Sequence, residues 1–148
     1  MRMLYKVFFG SLVLSNVFMS EVNAGSTREQ MEKLSQGFRN TCINKLGADR
    51  TLVEGIRDGK FPENADEKVR CYPKCIATIT KIFKDGKMDM VAVEKQARIM
   101  MTEDIADGML AASDQCFKEI VNEGDDCDYV FRYLQCTYLK NPDIFFFP

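Results

Sequence analysis

The chain has 148 residues, with 20 basic and 22 acidic side chains, a net charge of -2 and no histidine. No basic stripe emerges, which excludes binding driven by nucleic-acid phosphates. Catalytic Ser-His-Asp and Cys-His groups are excluded because both need a histidine. Chemistry based on carboxylates or lysine stays open, but no pair of acidic residues stands out from a solvated helix face. We therefore predict a protein that is not an enzyme and has no cofactor.

The N-terminus has the organisation of a secretory signal. Arg2 and Lys6 supply positive charge, residues 7–19 are mostly apolar, and residues 22–24 (Val-Asn-Ala) are small where a signal peptidase reads the chain. A membrane anchor is the alternative, but the apolar stretch is interrupted by polar residues and is shorter than the roughly 20 residues that a spanning helix needs. We predict that residues 1–24 are a signal peptide, that the mature protein is extracellular, and that it does not insert stably into membranes.

Residues 25–148 carry apolar side chains at every third or fourth position, and no alternating run typical of a strand competes with this period. The sequence Ser26-Thr27-Arg28-Glu29 has the pattern of a capping box, which opens the first helix. The apolar stripes of the predicted helices are, in chain order, Met31, Leu34, Phe38, Cys42; Leu52, Val53, Ile56; Val69, Tyr72, Ile76, Ile79, Phe83; Val93, Ala97, Met100; Ile105, Met109, Ala112, Cys116, Ile120; and Val130, Tyr133, Leu134, Tyr138. The pattern predicts one all-α domain of about six helices.

The ends of these helices are marked by capping and stopping residues. The predicted stops are, in chain order, Gly47, Gly59, Asp85-Gly86, Gly124 and Asn141-Pro142. Asp89, Thr102 and Asp126 are predicted to cap the fourth, fifth and sixth helices. Pro73 conflicts with the third helix because a proline inside a helix removes a backbone hydrogen bond. We expect that helix to bend at Pro73 or to start later than its stripe indicates.

The cysteines point to disulfide bonds. There are six of them, all after the predicted signal: Cys42, Cys71, Cys75, Cys116, Cys127 and Cys136. An even number in a secreted chain favours three disulfides. A metal site is disfavoured because histidine is absent and no second close pair accompanies Cys71 and Cys75. These two lie one helical turn apart, so we expect each to bond to a different segment. Spacing alone leaves fifteen connectivities open.

The cysteine pattern C-x28-C-x3-C-x40-C-x10-C-x8-C resembles the six-cysteine signature of insect odorant-binding proteins of the PBP/GOBP type. The x3 and x8 intervals are the tight ones in that family, and both are matched. The resemblance covers all of residues 25–148. It implies the bonds Cys42-Cys75, Cys71-Cys127 and Cys116-Cys136, and about six helices interlocked around a central hydrophobic cavity.

The resemblance also implies a function. Its members carry small hydrophobic molecules, so we expect a carrier of odorants or pheromones in extracellular fluid such as sensillar lymph, with a small apolar volatile or lipid-like ligand. A weak homodimer and contact with a chemosensory receptor are the further partners it implies. The physical chemistry is compatible, because disulfides relieve the core of having to be filled solid, whereas unfilled volume costs stability.

The residues predicted to line the cavity come from the apolar stripes, from the C-terminus, and from two further apolar positions, Ile82 and Met88. They are Phe38, Ile79, Ile82, Phe83, Met88, Met100, Val130, Leu134, Phe146 and Phe147. Each is equally compatible with an ordinary core position. Methionines in the middle of the chain supply flexible surface that suits varied ligands. Hydroxyl groups of Thr78, Thr80, Tyr133 or Thr137 are available to an alcohol, ester or aldehyde, but the sequence does not show which of them faces inward.

The C-terminal stretch KNPDIFFFP ends in four large apolar residues and a proline. The alternatives are a membrane foot, an aggregation-prone segment, a partner-binding segment and a piece of the protein's own interior. Burial of a phenylalanine stabilises a protein by roughly 1.5 to 3 kcal/mol, which favours the interior. We predict that residues 141–148 form a lid in which Phe146 and Phe147, with Ile144 or Phe145, close the cavity.

Three alternatives to an odorant carrier remain at this stage. They are a non-olfactory secreted carrier of lipids or hormones, a saposin-like membrane-active protein, and a helical module that binds a protein partner. Because histidine is absent, an acid-triggered release must use carboxylates such as Asp143 or the Pro148 terminus. We therefore predict a response only at distinctly acidic pH, or none.

Overall fold

A computed structural model describes residues 28–148, so the predicted signal peptide and the first two residues of the capping box lie outside the described residues. The described chain forms six helices and one antiparallel hairpin. In chain order these are α1 (Arg28–Leu46), α2 (Arg50–Arg57), α3 (Glu67–Ile79), β1 (Phe83–Lys84), β2 (Lys87–Met88), α4 (Met90–Met100), α5 (Glu103–Glu119) and α6 (Asp126–Lys140). The predicted all-α fold with about six helices is confirmed. Within residues 28–148, no helix is long and apolar enough to cross a membrane.

Aspartates are the N-terminal capping residues of four helices. The carboxylates that accept hydrogen bonds from first-turn N–H groups of α2, α3, α4 and α6 belong to Asp49, Asp66, Asp89 and Asp125. Such caps satisfy backbone donors that have no partner within the helix. The predicted cap at Asp89 is confirmed, whereas the cap of α6 lies one residue before the predicted Asp126. Thr102 occupies the capping position of α5 but makes no side-chain capping bond.

The third helix is shorter than its apolar stripe predicts. It ends at Ile79, and Phe83 lies in β1 instead, paired with Met88. Lys81 has a φ of 61°, and the two turn residues Asp85 and Gly86 have φ of 51° and 76°. Positive φ at both central residues is the requirement of a type I′ hairpin turn, for which Asp-Gly is a favoured sequence. The prediction of a helix up to Phe83 is wrong because Asp85-Gly86 turns a hairpin rather than stopping a helix.

Pro73 lies inside α3, six residues after its first residue, Glu67. The predicted alternative of a late helix start is therefore wrong. Proline has no N–H to donate to the carbonyl of the residue four positions earlier, so one bond of the ladder is absent at Val69. The Pro73 side chain is buried and forms part of the cavity wall described below.

Three disulfides join four of the helices. The pairs are Cys42–Cys75, Cys71–Cys127 and Cys116–Cys136, with S–S distances of 2.08, 2.02 and 2.04 Å. They are the pairs that the family resemblance implies. The first two attach α3 to α1 and to α6, and the third attaches α6 to α5. Each bond therefore shares a helix with another, which interlocks the domain.

The buried apolar side chains form three clusters. The first lies between α1, α2, α3 and α6, around Val53, Val69 and Tyr72. The second lies between the hairpin, α4, α5 and α6 and includes Tyr133. The third is smaller and contains Met31 of α1 with side chains of α4 and α5. The C-terminal segment contributes to the first and third clusters, and the candidate site lies where the three clusters meet.

Candidate ligand-binding site

The described chain forms an apolar cavity of about 130 Å³, partly open to solvent, at the junction of the three clusters. Its wall is drawn from α3 to α6, the hairpin and the C-terminal segment. The lining residues are Pro73, Ile76, Ala77, Thr80, Ile82, Met88, Val93, Gln96, Ala97, Met100, Met101, Met109, Ser113, Val130, Tyr133, Leu134, Thr137 and residues 145–148. Concave, mostly apolar cavities with a few polar groups are typical binding sites for small molecules.

Most of the residues predicted from the sequence are brought together in this wall. They are Ile82, Met88, Met100, Val130, Leu134, Phe146 and Phe147. They come from separate parts of the chain, and the disulfides hold those parts together. Their contact with a ligand stays a prediction.

Three other predicted residues lie elsewhere. Phe38 is 39% exposed, because α1 turns Met31 and Cys42 inward and leaves Phe38 at the edge of that face. Ile79, at the end of α3, is 36% exposed and borders a shallow surface groove instead of the cavity. Phe83 is buried, but β1 directs its ring toward Tyr129, with 6.3 Å between the ring centroids. These three placements correct the sequence-based set.

Small and flexible residues of the wall were missed by the sequence analysis. Ala77 and Ala97 lie on the inner faces of α3 and α4, and Met101 lies just after α4. Alanines on an apolar stripe resemble ordinary core residues, although their small side chains leave the volume that larger neighbours surround. The signal available was the position of Ala97 in the predicted stripe of α4.

The aromatic part of the C-terminal segment (residues 141–148) lies inside the protein, whereas Pro142 and Asp143 are exposed. The rings of Phe145, Phe146 and Phe147 are all buried, and each points to a different neighbour. Phe145 packs edge-on against Tyr138, with 5.2 Å between centroids, and Phe147 packs edge-on against Tyr72 at 5.8 Å. Phe146 enters the third cluster. The segment therefore joins the core and forms one side of the cavity.

Polar contacts attach the end of this segment to the helices. The Tyr72 hydroxyl donates a hydrogen bond to the terminal oxygen of Pro148 at 2.7 Å, and burial raises the pKa of Tyr72. Arg57 Nε donates to the carbonyl oxygen of Phe147 at 3.4 Å. The Arg57 guanidinium also pairs with Glu32 of α1. These contacts connect α1, α2 and α3 to the last two residues of the chain.

Ile144 packs against α5 and does not line the cavity. A Cβ atom added at Gly108 would lie 2.6 Å from Ile144 Cδ1, which is closer than real Cβ contacts allow. Glycine at this position therefore lets the first part of the segment approach the helix. Of the two alternatives for the predicted lid, the structure places Phe145 in the wall and Ile144 outside it.

Hydroxyl groups supply most of the polar side chains of the wall. The Thr80 and Thr137 hydroxyls donate to helix carbonyls of Ile76 and Tyr133, at 2.8 and 2.9 Å. The Tyr133 hydroxyl donates to the carbonyl oxygen of Ser113 at 3.3 Å. Burial raises the pKa of Tyr133 to about 12, and the neighbouring Ser113 opposes the rise. The phenol is therefore a neutral donor at physiological pH.

Comparison with known proteins identifies the family. Residues 24–140 match the model of the PBP/GOBP family. The chain belongs to the PBP/GOBP family. It is 29% identical over 120 residues to general odorant-binding protein 72 of Anopheles gambiae, covering 81% of this chain and 98% of that protein. It is 30% identical over 128 residues to general odorant-binding protein 19a of Drosophila melanogaster, covering 84% and 86%.

Solved structures agree with this assignment. The PBP/GOBP chain superimposes on odorant binding protein 5 of Apis mellifera with a TM-score of 0.71 at 35% identity, covering 84% of this chain and 99% of that one. Odorant binding protein 4 of Chrysopa pallens gives a TM-score of 0.71 at 30% identity, covering 82% and 98%. The predicted relationship to insect odorant-binding proteins is confirmed. Membership of the PBP/GOBP family supports a carrier of small hydrophobic ligands.

Proposed function

We propose that this protein is a secreted carrier that binds odorants or pheromones in the cavity and transports them through extracellular fluid such as sensillar lymph. The observation that carries the proposal is the apolar cavity at the junction of three core clusters. Its lining is mostly apolar, with only a few polar groups. The predicted signal peptide at residues 1–24 and the three disulfides fit an oxidising, extracellular compartment.

The disulfides and the C-terminal segment have separate roles in this proposal. The disulfides hold α1, α3, α5 and α6 at fixed positions, so the domain tolerates unfilled volume. Residues 141–148 act as the lid, with Phe145, Phe146 and Phe147 as its inner surface. Burial of these rings also disfavours the alternative in which the segment binds a protein partner, because the rings already have partners in the core.

Binding of an apolar fluorescent probe tests the proposal. We expect micromolar displacement of the probe by volatile esters, ketones and aldehydes, and native mass spectrometry of the secreted protein should show a bound small molecule. Ala97→Leu fills part of the cavity and should weaken probe binding, whereas Ala111→Leu changes an exposed position of α5 and should not. Absence of probe binding, or equal effects of the two variants, would contradict the proposal.

The biological setting needs a different measurement, because the same cavity would serve a non-olfactory carrier of lipids or hormones. Immunolocalisation to sensillar lymph would support the olfactory role, and exclusive expression in another tissue would support the alternative. A chemosensory receptor is the protein partner that the olfactory role includes. A weak homodimer would raise the mean mass with concentration in sedimentation experiments.

We expect ligand affinity to change by less than about two-fold between pH 7 and pH 5 and to fall only below about pH 4. The chain has no histidine to titrate in the upper range. A hydrogen bond from the Asn122 side chain, and to a smaller extent the contact with Lys74, lowers the pKa of the Asp126 carboxyl below its ordinary value of 3.8. A lowered carboxyl pKa contributes stability above the unfolded pKa, and this is lost as the pH falls through the folded value. The measurement is the dissociation constant of the probe at a series of pH values.

The Asp126→Asn variant is the control for the acid response. It removes the carboxyl that Asn122 and Lys74 hold ionised, so stability should depend less on pH below about pH 4 than in the wild type. A sharp loss of affinity between pH 7 and pH 6 in the wild type would show that another group controls release.

A further inference from the structure

The polar side chains of the cavity differ in whether their N–H and O–H groups already donate strong hydrogen bonds within the protein. Thr80 and Thr137 donate to helix carbonyls at short distances of 2.8 and 2.9 Å. The Gln96 side-chain amide donates to the backbone carbonyl of Thr80 at 2.9 Å. Each of these three groups has a good internal acceptor, and Gln96 keeps a second N–H that its bond to Thr80 does not use.

The Tyr133 hydroxyl is different. Its oxygen acceptor, the carbonyl of Ser113, lies 3.3 Å away, whereas O–H···O bonds are usually about 2.7 to 2.8 Å, and its other acceptor is the weakly accepting Met90 sulfur at 3.7 Å. This carbonyl lies within α5, so it also faces the N–H of the residue four positions later in the helix. The long bond from Tyr133 is weak, and its loss leaves the carbonyl with a helical partner. The Tyr133 hydroxyl can therefore donate its hydrogen bond to a ligand oxygen in the cavity at a low cost.

A nearby disulfide bond holds the two helices that carry Tyr133 and Ser113 together. Ser113 and Tyr133 are 2% and 5% exposed and lie on facing helices, α5 and α6. Each precedes by three residues a cysteine of the Cys116–Cys136 disulfide, which therefore joins the same faces of the two helices one turn away. The hydrogen bond from the Tyr133 hydroxyl to the Ser113 carbonyl joins the two residues, and both side chains border the cavity. Ser113 and Tyr133 form a buried polar pair in a mostly apolar wall.

We propose that Ser113 and Tyr133 select ligands that carry a hydrogen-bond-accepting oxygen, such as a ketone, aldehyde or ester carbonyl, over hydrocarbons of the same shape. The ligand oxygen accepts a hydrogen bond from the Tyr133 hydroxyl at the α5–α6 wall. The hydrocarbon part of the ligand lies against the methionines and the C-terminal phenylalanines. This inference rests on the proposed carrier function and specifies its ligand class. Because burial raises the pKa of Tyr133 to about 12, the donor persists at every pH at which the protein would work.

The test compares a matched pair of competitors against a fluorescent apolar probe. The pair is methyl heptyl ketone and the alkene in which a methylene group replaces the carbonyl oxygen. For each protein the ratio of the two dissociation constants is recorded, so that probe and solubility effects cancel between proteins. We expect Tyr133→Phe to lower the preference for the ketone about five-fold, as expected for one hydrogen bond, with little change for the alkene. Ser113→Ala should lower it in the same direction by a smaller factor.

Tyr129→Phe is the matched control, since Tyr129 lies one turn earlier on α6, is buried, and does not line the cavity. It should leave the ratio unchanged. An unchanged ratio in Tyr133→Phe, or equal losses for ketone and alkene, would overturn the proposal and assign Tyr133 a packing role. Failure of both competitors to displace the probe from the wild type would instead contradict the carrier function, so the two failures are distinguishable.

Discussion

Deletion of residues 143–148 is expected to lower the affinity for an apolar probe by at least about ten-fold and to speed its release. The deletion removes three buried rings, each of which contributes roughly 1.5 to 3 kcal/mol by burial, and it opens one side of the cavity to water. It also removes the contacts of Tyr72 and Arg57 with the chain terminus. Equilibrium titration gives the affinity, and stopped-flow dilution of the loaded protein gives the release rate.

A milder variant separates the lid from general loss of stability. Phe146→Ala removes one ring, which belongs both to the cavity wall and to the third cluster. Phe117→Ala removes a ring on the exposed side of α5. We expect faster probe release from Phe146→Ala and wild-type release from Phe117→Ala, with both proteins shown to be folded by circular dichroism. Unchanged affinity and release rate in Phe146→Ala and in the deletion would refute the lid.

Loss of the bond between α3 and α6 should have the largest effect of any single disulfide on stability. Cys71 and Cys127 are 56 positions apart, against 20 for Cys116 and Cys136. On the loop-entropy model, the Cys71→Ala/Cys127→Ala variant loses about 4 kcal/mol of unfolding free energy. The Cys116→Ala/Cys136→Ala variant loses about 3 kcal/mol. Urea unfolding monitored by circular dichroism measures both losses.

The same variants show whether the disulfides maintain the cavity. If they do, the Cys71→Ala/Cys127→Ala protein binds the probe more weakly than the wild type even under conditions in which it is folded. Saturating ligand should then restore part of its stability, since ligand binds only the folded state. Wild-type stability and affinity in this variant would show that packing alone holds α3 and α6 in place.

The helices were largely predictable because their signals are local. The periodic stripes and the cap at Asp89 depend on residues within a few positions of one another, and the structure agrees with them. The error at the end of α3 has a local cause too. Asp85-Gly86 satisfies both a helix stop and a type I′ turn, and the pairing of Phe83 with Met88 decides between them.

The cavity wall was predictable only in part. Met100, Val130 and Leu134 lie on apolar stripes that the fold turns toward one another, and Met88 of β2 joins them. The stripe of α1 also contains Phe38, yet rotation of that helix about its axis by a fraction of a turn leaves the ring at the surface. Such a rotation depends on the helices packed beside it and cannot be read from one stripe.

By itself, the sequence determined the helical class, the approximate helix positions, the cysteine framework and the family, because these follow from short-range periodicity and from residue spacing. Only the tertiary structure decided where the unfilled volume lies and which groups border it. It placed Phe145, Phe146 and Phe147 in separate parts of the interior. It also brought Ser113 beside Tyr133. Both depend on how distant segments pack, because a cavity is bounded by side chains that are far apart in the chain.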